Sequence, residues 1–496
     1  MKMETLKKLA DTPVSRRRFL KGTGLLVVSF SLLRFADSPA EAQGRDEPPP
    51  ALDGFLAVDE DGTVTAFTGK VELGTGVATA LRQIVAEELG VAFAAIHWVQ
   101  GDTKLVPNQG GTWGSGTIRQ GGTELRRAAA TARQALLQMA SEQLSVPVGH
   151  LVAREGTVRV RGDTSTQVSY GELIGGRQFE LAVDENAPVK EPSAYTMVGK
   201  PIRRADVPGK VTGSFEYVHN VRLPGMLHAR VIRPPTVNAT LAGVNEASVR
   251  DLPGRIQVVR RGNFLAVAAE REEQAIQAAQ ALEVSWTPSG DALPADAAAL
   301  STYMQKTAIR DQRVVVDKGD LEGAFADAAK TLTAKYEWPF QMHGMIGPSC
   351  AVADVRDGSA TIWAGTQNPF GTQGAVADLL ALDPQDVHVI YTEASGCYGR
   401  LSWDDVPLDA ALVSQALGKP VRVQWMRQDE HVYEPKGPPH FISVRAGLDE
   451  HGNVAAWEFQ DRSLPWVATR PLAAVASAPG GRAFAIPNGS DGGGEI

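Results

Sequence analysis

Short apolar bursts of two periodicities run along this chain, separated by breaks rich in Gly, Pro and Asp. Phe55–Val58 and Thr63–Phe67 alternate as strands do around an Asp61-Gly62 turn. Val77–Leu89 and Gly121–Leu144 carry Ala, Leu and Ile at helical spacing. A polar, charged break at 183–193 marks a boundary, and the pattern then turns strand-rich from Val198 to Trp286, with turns at Pro208-Gly209 and Pro224-Gly225. That stretch closes with Gln257–Arg260, Phe264–Ala269, a helix over Glu272–Leu282 and Glu283–Trp286, a small α+β module. Residues 287–312 read as a connector. A third region from Val314 predicts strands at Thr331–Glu337, Thr361–Ala364, Val387–Tyr391 and Val421–Trp425, and helices near Gly374–Leu382 and Val406–Leu417. The fold class expected is mixed α/β and α+β.

One apolar run stands apart. Gly22–Leu33 follows Ser15-Arg16-Arg17-Arg18-Phe19-Leu20-Lys21, which has the form of a twin-arginine export signal, and precedes a small-x-small cleavage site, Ala40-Glu41-Ala42 before Gln43. The run is about 12 residues against the roughly 20 that span a bilayer. Residues 1–42 are therefore expected to be an export signal and the location periplasmic, with membrane association only if the signal stays uncleaved. Export in the folded state suits a protein that takes up a prosthetic group in the cytoplasm.

Composition narrows that group. At 496 residues, 43% hydrophobic and 21% charged, the chain is long enough for two to four domains. A net charge of −8, with no basic stripe outside the leader, excludes nucleic-acid binding as a leading function. The only cysteines are Cys350 and Cys397. Iron–sulfur clusters use about four Cys ligands and c-type haem needs Cys-x-x-Cys-His, so electron carriers belong on another polypeptide. Two separate buried thiols are expected rather than a disulfide.

Three Gly-rich turns sit beside predicted strands: Gly74-Thr75-Gly76, Gly110–Thr117 and Ser395–Arg400. Such turns expose backbone N–H groups, and a helix start adds a positive dipole end, so each suits an anionic group. Any one of them is more often merely a turn. Together, in an exported chain, they suit a large phosphorylated organic cofactor.

Residues Gln341–Gly344, Gly347–Asp354, Trp363–Pro369, Ser395–Arg400 and Gly418–Arg427 occur in an order and spacing that resemble the molybdenum-binding large subunit of the xanthine dehydrogenase/aldehyde oxidoreductase family, in its isoquinoline 1-oxidoreductase and nicotinate dehydrogenase form. The resemblance implies molybdopterin-binding domains in permuted order: a segment of the second at 53–185, an inserted hammerhead domain at 198–287, and the first, incomplete, at 314–496. It implies a molybdopterin cofactor, in the cytosine dinucleotide form, held by Gly74, Thr75, Gly76, Gly114, Ser115, Gly116, Thr117, Gly396, Cys397, Tyr398, Gly399 and Arg400. Gln341, Tyr398 and Gly399 are placed beside the molybdenum, with no direct metal ligand from a protein side chain. Thr75 replaces the glutamine usual in xanthine-type enzymes.

The implied activity is oxidation of an aldehyde or N-heteroaromatic substrate with water as oxygen source and a glutamate as base. Electrons would pass to [2Fe-2S] clusters on a small partner subunit, with a cytochrome c as a further acceptor. Large subunits of this type are longer, so the catalytic Glu is expected beyond Ile496 and Glu495 is not that residue. The alternatives are an inactive remnant, half of a split subunit, or a periplasmic solute-binding protein. His343 is expected to be structural, Asp404-Asp405 to face the substrate or cap the next helix, Trp98, Trp113, Trp363 and Trp425 to pack in the core, and Lys419, Arg422 and Arg427 to face solvent or lie at a subunit surface.

Overall fold

The computed structural model describes residues 25–29, 54–163, 165–235, 239–288, 294, 296–309, 311–399, 401, 405–434 and 436–463. The Ser15–Lys21 motif, the Ala42–Gln43 junction, Arg400, Asp404 and Glu495 lie outside them. From the N-terminus the elements are β1 (Leu25–Ser29), β2 (Gly54–Asp59), β3 (Val64–Thr68), α1 (Val77–Leu89), β4 (Ile96–Gln100) and α2 (Thr123–Leu144). There follow β5 (Leu151–Arg154), β6 (Thr157–Val160), β7 (Gln167–Ser169), α3 (Tyr170–Ile174), β8 (Gln178–Ala182), α4 (Val207–Thr212) and β9 (Leu227–Val231). The middle holds β10 (Thr240–Asn245), β11 (Gln257–Arg261), β12 (Phe264–Ala269), α5 (Glu272–Ala281), β13 (Glu283–Thr287), α6 (Ala297–Lys306) and α7 (Leu321–Ala326). The last are β14 (Lys330–Trp338), β15 (Cys350–Arg356), β16 (Ser359–Ala364), α8 (Pro369–Leu380), β17 (Val387–Tyr391), α9 (Val406–Leu417), β18 (Val421–Gln424), α10 (Arg427–Tyr433), β19 (His440–Leu448) and β20 (Val454–Ser463).

The described residues form two compact units, each discontinuous in sequence: those up to Ala229 with Met345–Gln424, and Arg230–Gly344 with those from Trp425 onward. The first unit holds a five-stranded sheet in the order β4-β3-β2-β1-β8. Its inner strand β1 runs antiparallel to β2 (Leu26↔Val58, Val28↔Leu56) and parallel to β8 (Leu26↔Phe179, Val28↔Leu181). Leu26 and Val28 enter the core formed with Val85 of α1 and Leu125 and Leu136 of α2, while Val27 packs on the other face with Ala57, Phe67 and Val106. A strand buried on both faces reads as an unbroken apolar run, which is what Leu25–Val28 is. Each such side chain stabilises by about 1.5–3 kcal/mol when fully buried. Leu25–Ser29, inside the expected leader, is thus a strand of the fold.

The boundary expected at 183–193 is strapped down. Glu87 and Glu88, both buried at the end of α1, accept the N–H groups of Thr196, Met197 and Val198 and of Lys190 respectively. Arg126 and Arg133 complete the pairing of Glu88 at 2.9 and 3.3 Å. Burial alone would raise the Glu87 carboxyl, but these backbone donors with Lys190 bring it below its ordinary value.

The same unit contains the start of β9 (Leu227–Ala229) with β18, β15, β16 and β17, neighbours in that order, and β15 is antiparallel to both β16 and β18. Helices α8 and α9 pack on these strands. In the second unit, α5 packs on the β11–β12 hairpin over a core of Leu241, Val249, Leu265, Val267, Ala278 and Leu282. Its three-stranded sheet β14-β19-β20 exposes Leu332, Tyr336, Trp338, Trp457 and Phe459. No helix among the described residues is long and apolar enough to cross a membrane.

Two local expectations change. Pro208-Gly209 lies inside α4, where Pro occupies the first helical turn and its fixed φ favours the helix. The connector at 287–312 contains α6, started by Asp296, whose side chain accepts the Ala299 N–H at 2.7 Å.

Candidate active site

The Gly-rich turns of the first unit are joined at their roots by buried polar side chains. After β3 the chain turns at Gly69, where an added Cβ would stand 2.4 Å from the Pro107 carbonyl oxygen, so only glycine fits. The adjacent Lys70 is 2% exposed and its Nζ donates to the carbonyls of Gln109 (2.6 Å) and Gly111 (2.9 Å). Burial pushes this ammonium below its ordinary pKa, against the opposing charge of Glu124. Gln109 accepts from Gly69 N at 2.9 Å, and Thr112 Oγ1 accepts from Val71 N at 3.0 Å. Lys70 and Thr112 thereby hold the first turn to the second.

The first turn is held to the third as well. The buried Tyr391 hydroxyl at the end of β17 donates to the Glu72 carbonyl, and burial raises its pKa well above the ordinary phenol value. Arg204 donates to Gly74 O at 2.7 Å and pairs with Asp206, which pairs with Lys210 at 2.7 Å, which reaches Glu393 at 2.5 Å. The Arg204 hydrogen bonds hold the Asp206 carboxyl well below the usual range. Burial pushes Glu393 up, partly offset by Lys210. Lys210 itself would fall through burial, but its two carboxylate partners leave it raised.

On these buried roots the tips are open. Gly74, Thr75, Gly114, Ser115, Tyr398 and Gly399 are exposed. Ser115 (φ 54°) and Tyr398 (φ 51°) take the left-handed backbone that non-Gly residues seldom adopt. Cys397 and Cys350 are not joined in a disulfide and are buried in one cluster with Val218, Met345, Ala394 and Leu401.

The helix starts differ from one another. The Glu72 carboxylate accepts the N–H groups of Gly76 (2.8 Å) and Ala78 (2.9 Å), so the start of α1 is already matched with a negative charge. The Gly76 amide predicted to serve a ligand is therefore engaged within the chain. The helical turn Thr117–Gly122 leading into α2 has no side-chain cap, and Gly116 N is bonded to Trp113 O at 3.0 Å. Of the two, the Gly114–Thr117 turn has the freer donors for an anion.

Gln341 belongs to the second unit, where it is exposed and exchanges backbone hydrogen bonds with Gly437 (2.9 and 3.3 Å). Beside it, the N–H groups of His343 and Gly344 donate to the buried Glu434 carboxylate at 2.5 and 3.3 Å. Of the tryptophans expected in the core, Trp425 is buried, whereas Trp98, Trp113 and Trp363 are half-buried. Arg422 does not face solvent: it is 3% exposed and donates to the His219 carbonyl at 2.8 Å. Asp405 stands at the start of α9 without a side-chain capping bond. The buried carriers Lys70, Glu72, Gln367, Tyr391 and Glu393 went unassigned in the sequence, although Lys70 and Glu72 flank the first Gly-rich turn.

Residues 3–221 match one molybdopterin cofactor-binding domain and residues 305–463 match another. The chain belongs to the molybdopterin-binding large subunits of the xanthine dehydrogenase family. It is 44% identical to a nicotinate dehydrogenase subunit of Pseudomonas putida, over 90% of this chain and 38% of that one. The beta subunit of isoquinoline 1-oxidoreductase from Brevundimonas diminuta is 28% identical over 84% of this chain and 60% of its own length. The chain thus spans less than two thirds of either relative. The crystal structure of quinoline 2-oxidoreductase from Pseudomonas putida 86 overlays with a TM-score of 0.43 at 21% identity, covering 55% of this chain and 41% of that one. All three Gly-rich turns fall within the two matched domains, the first two at 74–76 and 110–117 in the first match and the third at 395–400 in the second.

Proposed function

We propose that this chain is the cofactor-binding catalytic subunit of a periplasmic dehydrogenase or hydroxylase acting on an aldehyde or N-heteroaromatic substrate, with molybdopterin cytosine dinucleotide as the cofactor. The observation that carries this reading is the set of open tips on buried, cross-linked roots within one compact unit. Exposed backbone donors at Gly114 and Ser115, ahead of a helical turn with no side-chain cap, fit the phosphates of a pterin dinucleotide. When bound, the molybdenum cofactor supplies two-electron oxidation of a substrate carbon with water as oxygen source.

The chain's own residues hold and orient. Lys70, Thr112 and Gln367 fix the second turn, and Tyr391, Lys210 and Glu393 fix the root of the third. Tyr398 and Gly399, both exposed, are the residues assigned to the reacting side. No residue of this chain is assigned the role of the glutamate base. Residues 198–287 are read as the hammerhead domain between permuted cofactor-binding domains, and a small [2Fe-2S] subunit and a cytochrome c as the electron path.

The test is dye reduction with nicotinate or an aldehyde, using the full chain co-produced with an iron–sulfur subunit in a bacterium that makes the cofactor. The expected result is substrate-dependent turnover that requires this chain with molybdenum and pterin bound. Equal turnover from a preparation without molybdenum and pterin would contradict the reading.

A further inference from the structure

We propose that Leu25–Ser29, within the apolar stretch of the leader, is a permanent strand of the folded protein and is not removed after export, so that the Ser15–Lys21 sequence stays covalently attached to the mature chain. β1 is an inner strand, with β2 on one side and β8 on the other, and loss of it would leave two unpaired edges inside the sheet. Its register is fixed over all five residues on the β8 side, Leu25↔Gln178 to Ser29↔Ala182. Leu26, Val27 and Val28 are 0%, 2% and 0% exposed and serve two separate apolar clusters, one on each face. A removable leader needs no such two-sided complementarity.

In the order of the chain the cleavage signal also stands awkwardly for removal. Ala42–Gln43 lies in the connection between β1 and β2, so cutting there would sever two neighbouring strands of one sheet. The segment therefore has two competing destinations, the export machinery and the sheet, and the sheet holds it in the folded protein. Arg16, Arg17, Arg18 and Lys21 then remain as a basic extension upstream of β1. The pairing and burial of β1 hold whatever the cofactor or substrate.

Two measurements test it. The full chain is produced with its native N-terminus, recovered folded from the periplasm, and its N-terminus is read by intact mass and N-terminal sequencing. The expected N-terminus lies upstream of Leu25; folded protein beginning at Gln43 would overturn the proposal. Separately, Val28→Ala and Val27→Asp are made in a chain confined to the cytoplasm by Arg16→Lys and Arg17→Lys, so that export plays no part. The first is expected to lower the thermal midpoint by several degrees, and the second to reduce the protease-resistant yield at least tenfold. Unchanged midpoint and yield in both variants would overturn it.

Discussion

Gln367 and Thr112 clasp one another across 255 residues of sequence: Gln367 Nε2 donates to the Thr112 carbonyl at 2.8 Å, and the Thr112 N–H donates to the Gln367 carbonyl at 2.9 Å. Both residues are buried, and through Thr112 Oγ1 the clasp extends to Val71. It fixes the second Gly-rich turn to the strand end that precedes α8. Gln367→Ala keeps the backbone half of this pair and strips the Thr112 carbonyl of its side-chain donor, an expected loss of about 1–3 kcal/mol. Urea unfolding measures the loss, and hydrogen exchange is expected to quicken at 110–116 ahead of the rest of the unit.

Lys70 is the corresponding tie on the other side of that turn. Lys70→Met preserves the aliphatic length but leaves the Gln109 and Gly111 carbonyls without their ammonium donor. The expected cost is roughly 2–4 kcal/mol, since two buried acceptors lose a charged partner. Limited proteolysis that opens first within 107–117 is the expected signature, together with reduced retention of the pterin.

Glu72 occupies the start of α1 that a ligand phosphate would otherwise take. Glu72→Ala is expected to cost about 1–2 kcal/mol through loss of the helix cap. The freed Gly76 and Ala78 N–H groups make the variant responsive to anions. Millimolar sulfate is expected to raise the thermal midpoint of Glu72→Ala more than that of the parent chain, and an equal response would contradict the geometry.

Asp206 and Glu393 have opposite pH signatures. The Asp206 carboxyl is lowered by Arg204, so its stabilisation is complete above the ordinary aspartate pKa of about 4 and is lost as the pH falls through the lower folded value. Glu393 is raised by burial, so the folded state binds the extra proton and stability declines as the pH rises from about 4.5 through the raised value. Asp206→Asn is therefore expected to be most costly near neutrality and progressively less costly as the pH falls below about 4. Glu393→Gln is expected to cost more at pH 5 than at pH 7. Chemical unfolding across that range reads both trends.

Much of this was legible in the chain. Val77–Leu89, Val387–Tyr391 and Val406–Leu417 form the elements that their periodicity predicts, residue for residue. The Gly-rich tips were visible because glycine at a left-handed φ is written directly in the sequence. Their roots were not, because Gln367 reaches Thr112 and Tyr391 reaches Glu72 only after the chain has folded through hundreds of residues. A buried Lys70 is indistinguishable in sequence from a solvated one. Leu25–Ser29 shows the same limit from the other direction: an apolar run that satisfies an export signal also satisfies a strand buried on both faces, and only its pairing with β2 and β8 separates the two.

The central claim is that these turns hold a molybdopterin. Molybdenum and pterin content, measured on the full chain purified from a bacterium that makes the cofactor, tests it most directly. Both are expected in equimolar amounts with the polypeptide, and both depleted in Gln367→Ala and Lys70→Met. A folded parent chain carrying neither would contradict it.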